Sequence, residues 1–94
     1  MKTYHVYIMS SPNKNSIYIG VTNDLQERVK QHKSKSTEGF TSKYNCIHLV
    51  YFELFNDINQ AIKKEKQLKK WNRQWKNELI NSMNPKWEDL AMLW

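Results

Sequence analysis

The sequence has 94 residues, the size of one small domain, and its 39% hydrophobic and 26% charged residues indicate a folded globular chain rather than a disordered one. A single cysteine, Cys46, argues against a disulfide-stabilised secreted module, and no long apolar run suggests a signal peptide or a membrane span, so we expect a cytoplasmic protein. The formal net charge of +6 favours a polyanionic partner, either nucleic acid or an anionic membrane surface.

The first third of the chain predicts a β-hairpin followed by a helix. Residues 4–9 and 16–21 are rich in aromatic and β-branched side chains, and turn-forming residues separate them. Asn23 and Gln26 stand three residues apart, as in a capping box, and predict a helix that ends near Lys33. The stripe of this helix that should face inward consists of Leu25, Arg28, Val29 and His32.

The remainder predicts one more strand and further helices. Residues 46–55 are apolar on both faces, which indicates the central or best-covered strand of the sheet. Helices are predicted over residues 57–70 and 71–82. The order of elements predicts an α+β domain over residues 1–82, with a small antiparallel sheet of about three strands flanked by helices. Residues 83–94 are expected to form a short helix or tail that docks on the same domain.

Polar residues on inward-facing helical stripes are the most informative departures from this pattern. Glu65 lies between Ile62 and Leu68, and an unpaired buried carboxylate is costly, so it needs a partner. It must be paired, coordinated or protonated: the ordinary interpretation is an ion pair with a partner such as Arg28, and the functional one is a bound hard divalent cation. Arg28 and His32 share one helix face. Their ordinary interpretation is a snorkelling arginine and a satisfied core histidine, and the functional one is a phosphate clamp and a proton-transfer group.

Basic residues crowd the second helix and its extension, with Trp71 and Trp75 among them. A solvated helix face is the ordinary interpretation, and a surface for a phosphate backbone is the alternative. Membrane contact is disfavoured because Glu65 interrupts the apolar face. The candidate nucleic-acid-binding residues are Lys43, Tyr44, Lys63, Lys66, Lys69, Lys70 and Arg73.

The hairpin contains His5-Val6-Tyr7 and then Tyr18-Ile19-Gly20, which resembles the paired motif of the GIY-YIG nucleases. Further residues follow in the order found in that family. Arg28 stands ten residues after Tyr18, His32 stands four residues later, and Glu65 lies on the helix after the third strand. The resemblance covers most of the chain and is strongest to small stand-alone members of the family.

The resemblance extends over about residues 3–80 and implies a GIY-YIG-like fold. It also implies a metal-dependent endonuclease that hydrolyses phosphodiester bonds in nucleic acid, with DNA favoured over RNA. Glu65 would hold one divalent ion, Mg²⁺ or Mn²⁺. The implied catalytic residues are Tyr7, Tyr18, Arg28, His32 and Glu65, and Gly20 is the structural glycine of the second motif.

In the mechanism that the resemblance implies, Arg28 clamps a phosphate oxygen, and Tyr18 takes a proton from the attacking water or orients it. Tyr7 and His32 position the water or share the proton transfer. The catalytic residues are expected to converge on one concave surface. The alternative function is a nucleic-acid-binding adaptor with the same fold and little or no catalysis, favoured because Val21-Thr22 stand where some family members carry a lysine.

Overall fold

The computed structural model describes residues 2–34, 43–92 and 94. These residues form three strands and three helices, which confirms the predicted α+β class. In chain order they are β1 (Tyr4–Ser10), β2 (Ile17–Thr22), α1 (Leu25–Ser34), β3 (His48–Phe55), α2 (Ile58–Lys70) and α3 (Arg73–Met83). No helix within the described ranges has the length and apolar character needed to cross a bilayer.

The sheet has the order β2-β1-β3, and both strand pairs are antiparallel. The central strand is therefore β1, which is also more buried than β3, so the expectation that β3 is the central or best-covered strand is wrong. In β3, Leu49, Val50 and Tyr51 are buried, whereas Leu54 is exposed. A register shift between Ile8 and Met9 places Val50 and Tyr51 in the same core cluster, beneath α2 and α3.

Strand alternation divides the core into two layers, one on each face of the sheet. Val6 and Ile8 of β1 pack with α2 and α3 on one face, through residues such as Leu68. Tyr7 and Met9 point to the other face, where they pack against Leu25 and Val29 of α1 and other neighbours. The sheet therefore lies between α1 on one side and α2 with α3 on the other.

Side-chain caps fix where the helices begin. Asp24, rather than the predicted Asn23, caps α1: its Oδ1 accepts a hydrogen bond from the Glu27 N–H at 3.3 Å. The Asp24 N–H in turn donates to Thr22 Oγ1 at 3.0 Å, which ties the start of α1 to the end of β2. Asp57 caps α2 as predicted, accepting from the Asn59 N–H at 2.9 Å.

Residues 84–92 form turns, so the short helix expected in this segment is absent from the described residues. The segment still packs on the domain. Trp87 and Ala91 are buried in the two core clusters, whereas Trp94 remains half exposed and does not dock as expected. Buried Asn84 holds the segment, since its Nδ2 donates to the Val50 carbonyl at 3.3 Å.

The same tail covers the outer edge of β3. The Leu90 N–H donates to the Leu49 carbonyl at 2.8 Å, and the Leu49 N–H donates to Asp89 Oδ1 at 3.1 Å. Lys33 of α1 forms an ion pair with Asp89 and so ties the tail to the layer on that face. An edge strand with unpaired backbone groups is a template for unwanted pairing with another chain. Here the tail forms hydrogen bonds with backbone groups of that edge. The opposite edge of the sheet is β2.

Gly20 is required by the close packing of the hairpin. It is the cross-strand partner of Tyr7, and the Tyr7 ring lies over it. A Cβ at Gly20 would lie 2.6 Å from the Tyr7 phenol oxygen and 2.7 Å from Cζ. Because Tyr7 is fully buried, its ring has no free space into which it can move.

Gly20→Ala is therefore expected to lower the free energy of unfolding by about 1–3 kcal/mol, the usual cost of overpacking a core. The measurement is the urea midpoint of both proteins. The same substitution in a Tyr7→Leu background is the control: without the phenol ring the added methyl should be neutral or slightly stabilising, because it reduces the entropy of the unfolded chain. Equal losses in both backgrounds would contradict the packing argument.

Candidate active site

Three aromatic rings from three elements meet on the α1 face of the sheet. Tyr7 on β1 and His32 on α1 are buried, and the Tyr7 hydroxyl lies 2.9 Å from His32 Nε2, a hydrogen bond. The Tyr18 ring of β2 lies 5.4 Å from the His32 ring and 6.3 Å from the Tyr7 ring, between centroids. Tyr18 is only partly buried, so it forms the side of the cluster nearest solvent.

Burial controls the protonation of the inner pair. Burial raises the pKa of Tyr7, and the charge of Tyr18 raises it further. Arg28 lowers the same pKa through its charge and a hydrogen bond. Burial, and then the charge of Arg28, lowers the pKa of His32. Both groups are therefore neutral near pH 7. His32 Nδ1 is buried, and no hydrogen-bond partner for it lies within the described part of the chain.

Arg28 lies one helical turn before His32 and is partly buried. Its charge acts on the pKa values of both Tyr7 and His32, which places the guanidinium beside the ring cluster. Arg28 also lines a cavity of about 250 Å³ where the end of β2 meets the starts of α1 and α2. The other lining residues are Tyr4, Val21, Thr22, Asn23 and Ile58.

Glu65 belongs to α2, which packs on the face of the sheet opposite Tyr7 and Tyr18. Its charge nevertheless raises the pKa of Tyr7, so the carboxylate acts on the ring cluster from the other layer. Its side chain is 17% exposed, and Oε2 lies 3.7 Å from Lys69 Nζ. The expectation that all five residues converge on one face is therefore wrong: four of them share the α1 face of the sheet, and Glu65 comes from the opposite layer.

The Arg28 ion-pair interpretation of Glu65 is wrong. The Glu65 carboxylate pairs with Lys69, four residues along the same helix, and the described residues contain no contact within 4.0 Å between Glu65 and Arg28. An i, i+4 pair of this kind contributes little stability, about 0.3–0.5 kcal/mol. Structural pairing alone therefore gives a weak reason for a mostly buried carboxylate at this position.

The donor set fits a weakly held hard cation and not a tightly bound structural metal. In the described ranges, no group of three His, Cys, Asp or Glu side chains is arranged to hold an ion. A single partly exposed carboxylate, Glu65, suits Mg²⁺ or Mn²⁺, which accept water and phosphate oxygens as their remaining ligands. Such a site would bind the ion mainly together with substrate.

The candidate nucleic-acid-binding residues are divided among different surfaces. Lys63, Lys66 and Lys70 line one cavity of about 630 Å³ along α2. Lys69 instead lines a cavity of about 280 Å³ with Tyr18. Both Lys43 and Tyr44 are exposed, and Lys43 Nζ lies 5.4 Å from the Tyr44 ring centroid.

Arg73 is engaged within the protein. Its Nε donates to Asn77 Oδ1 at 2.8 Å, and its Nη1 donates to the Asn15 carbonyl at 3.1 Å. Its Nη2 donates to the Lys14 carbonyl, and the guanidinium lies 6.0 Å from the Trp87 ring centroid. These contacts join the β1–β2 loop to α3, which accounts for Arg73 without a nucleic-acid contact.

Lys76 belongs to the basic run in which the sequence predicts a phosphate surface, although it is not one of the individual candidates. It lines the same cavity as Tyr18 and Lys69, although it lies on α3 rather than on α2. A break between the two helices at Trp71 and Asn72 interrupts helical periodicity, so spacing along the sequence does not relate Lys76 to Lys69. In the sequence, only the local density of basic residues indicates a role for Lys76.

Comparison with known proteins identifies a family. Residues 3–79 match the family described as the GIY-YIG catalytic domain. A UPF0213 protein of Clostridium perfringens is 35% identical over 85 residues, covering 90% of each chain. One from Haloquadratum walsbyi is 32% identical over 80 residues, covering 84% of this chain and 89% of that protein.

Among solved structures, the chain is similar to the solution NMR structure of a UPF0213 protein from Bacillus halodurans. The TM-score is 0.60 at 26% sequence identity, and the match covers 97% of this chain and 96% of the other. The family match spans most of the sequence and includes the hairpin, α1 and Glu65. The chain is therefore a member of the GIY-YIG family.

Proposed function

We propose that the protein is a divalent-metal-dependent endonuclease that hydrolyses phosphodiester bonds in nucleic acid, with DNA as the favoured substrate and the cytoplasm as its location. The observation that carries this proposal is the cluster of Tyr7, Tyr18 and His32 beside Arg28, in which the Tyr7 hydroxyl lies 2.9 Å from His32 Nε2. Family membership supports the reaction class. The net positive charge supports a polyanionic substrate.

In the proposed reaction, a water oxygen forms a bond to phosphorus while the bond from phosphorus to the leaving sugar oxygen breaks. The Arg28 guanidinium binds a non-bridging oxygen and stabilises the negative charge that develops there. Tyr18, the ring nearest solvent, orients the attacking water, and its hydroxyl accepts the proton of that water while it gives its own proton to solvent. Solvent protonates the leaving oxygen.

Tyr7 and His32 act as positioning residues behind Tyr18. Burial keeps Tyr7 protonated, so its hydroxyl serves as a hydrogen-bonding partner that fixes the His32 ring rather than as a base. His32 stays neutral, and its Nδ1 is buried without a hydrogen-bond partner among the described residues. The pair thus provides a rigid polar surface against which Tyr18 is held.

Glu65 would hold one Mg²⁺ or Mn²⁺, with water and phosphate oxygens completing its coordination. When bound, the ion supplies positive charge to the scissile phosphate and to the leaving oxygen. Lys69, which now pairs with Glu65 at 3.7 Å, would then lose that partner and become available to phosphate.

The second candidate function is binding of nucleic acid without cleavage. The same Lys69–Glu65 contact favours it, because an ammonium group already neutralises the carboxylate that would otherwise hold an ion. A cleavage assay with Mg²⁺, with Mn²⁺ and with EDTA separates the two functions. Metal-dependent cleavage supports the endonuclease, and binding without cleavage in every condition supports the adaptor.

Glu65→Gln is expected to reduce metal-dependent cleavage to near the uncatalysed background, because the amide lacks the charge that holds the ion. The melting temperature should change little, since the Lys69 pair that is lost contributes at most about 1 kcal/mol. Binding to nucleic acid in EDTA should persist or strengthen, because a negative charge near the phosphates is removed. The measurements are a cleavage time course, a melting curve and a binding titration.

The matched control is Glu78→Gln, the same change on α3. There an exposed glutamate accepts a hydrogen bond from Gln74 and lies away from the ring cluster. It should leave cleavage at the wild-type rate. Retention of cleavage by Glu65→Gln, or an equal loss in both variants, would contradict a ligand role for Glu65.

The neutral state proposed for His32 leads to a pH dependence of stability. The pKa of His32 is lowered from 6.5 in the folded protein, so the unfolded chain binds that proton more tightly. The free energy of unfolding should therefore be greatest above about pH 6.5 and should fall as the pH drops through that value. His5, whose pKa is also lowered by burial, contributes in the same direction.

Urea unfolding at several pH values between neutral and mildly acidic would measure this dependence. His32→Gln should reduce the dependence on pH, and the His5→Gln variant is the matched comparison that removes the other lowered histidine. An unaltered pH dependence in His32→Gln would show that His32 is not held neutral by its surroundings.

A further inference from the structure

Two cavities border β2, one toward each end of the strand. The cavity with Arg28 lies at the end of β2, beside Val21 and Thr22. The second cavity, of about 280 Å³, is lined by Ile17, Tyr18 and Ile19 together with Lys69 and Lys76. Three consecutive strand residues point alternately to both faces, so a cavity that they share lies at the strand edge. Tyr18 is the residue that this cavity shares with the ring cluster.

The cavity is positively charged. Lys76 is partly buried, and its Nζ lies 3.5 Å from the Lys69 carbonyl at the end of α2, which holds the ammonium in place. In residues 2–34, 43–92 and 94, no carboxylate lies within 4.0 Å of the Lys76 ammonium, and its charge is therefore not neutralised. Lys69 adds a second ammonium, shared with Glu65. An anion is the ligand that this arrangement favours.

We propose that the sugar–phosphate backbone of a nucleic-acid strand runs along the outer edge of β2. The scissile phosphate lies near Tyr18 and Arg28, and a neighbouring phosphate of the same strand occupies the cavity of Lys69 and Lys76. The position of the scissile phosphate rests on the proposed nuclease function. The phosphate site at Lys69 and Lys76 stands on its own cavity and charge.

The dimensions and charges agree with this path. At about 3.3 Å per residue, the strand from Ile17 to Thr22 is roughly 17 Å long. Phosphates along one strand of a duplex are spaced about 3.4 Å apart along its axis, so the strand edge is long enough for several of them. A phosphate next to Glu65 meets a negative carboxylate and needs a cation there. A phosphate between Lys69 and Lys76 meets two ammonium groups against the one carboxylate of Glu65, so this part of the path should bind without a metal.

An ordinary structural role for Lys76 makes a different prediction. An ammonium near the last carbonyls of a helix stabilises that helix end. If this is its whole role, loss of Lys76 lowers the melting temperature and leaves the number of phosphate contacts unchanged. The dependence of binding on salt counts those contacts, because each neutralised phosphate releases counterions.

The test compares wild type with Lys76→Gln, and with Lys69→Gln as a second variant if the first fails to fold. Lys30→Gln is the control: the charge change is the same, but Lys30 is exposed and lies on α1 roughly 200° around the helix from Arg28. The probe is a short fluorescein-labelled DNA, as single strand and as duplex, titrated in EDTA at increasing salt. Melting curves accompany each variant.

Lys76→Gln should weaken binding and reduce the slope of log affinity against log salt by about 1, whereas Lys30→Gln should keep the wild-type slope. An unchanged slope in Lys76→Gln, or an equal decrease in Lys30→Gln, overturns the proposed path. A reduced slope in a protein that cleaves nothing with Mg²⁺ or Mn²⁺ leaves the phosphate site standing and rejects the nuclease function instead.

Where cleavage occurs, a second measurement locates the phosphate. Substrates carry one uncharged methylphosphonate at successive positions beside the cleaved bond. Neutralising the phosphate that binds Lys69 and Lys76 should slow wild-type cleavage and have little further effect on Lys76→Gln. Equal sensitivity of both proteins at every position would overturn the placement of that phosphate.

Discussion

The hydrogen bond between the Tyr7 hydroxyl and His32 Nε2 is the interaction on which the site depends. It joins the central strand to α1 inside a buried layer, where an unsatisfied polar group would be costly. The bond can form because the Tyr7 ring passes close to Gly20, where any side chain would collide with it. With Tyr7 and His32 filling the interior, Tyr18 is the ring left nearest solvent. The order of the three rings, from core to surface, follows from that one contact.

Much of this could be predicted from the sequence, and the reasons are local. The period of a strand and the register of a hairpin place Tyr7 and Tyr18 on the same face, and helical spacing places Arg28 and His32 together. The sheet order was not predictable in the same way. β3 is the most apolar strand, yet it lies at an edge of the sheet. Helices on one face and the tail across its edge cover its apolar side chains there. Coverage by distant segments is not encoded in a strand's own pattern.

The placement of Glu65 shows a second limit. The spacing of apolar residues along the helix indicates that Glu65 faces inward, but it does not indicate which face of the sheet the helix covers. α2 packs opposite α1, so the two halves of the site belong to different layers. They influence each other where the sheet ends, because β2 is an edge strand and Tyr18 and Lys69 share a cavity there. Arg73 illustrates the same limit, since its hydrogen bonds go to a loop nearly sixty residues away in sequence.

The two edges of the sheet differ in what covers them, and this difference bears on function. The tail satisfies the edge of β3 through Leu90 and Asp89, whereas β2 has no strand beside it in the described part of the chain. An open edge invites pairing with another chain, and flanking lysines are a common protection against it. A segment that covered β2 would also block Tyr18, so charge is the protection that leaves the edge accessible. Lys69 and Lys76 supply that charge. Their positive charge repels a second cationic copy of this chain and attracts a polyanion.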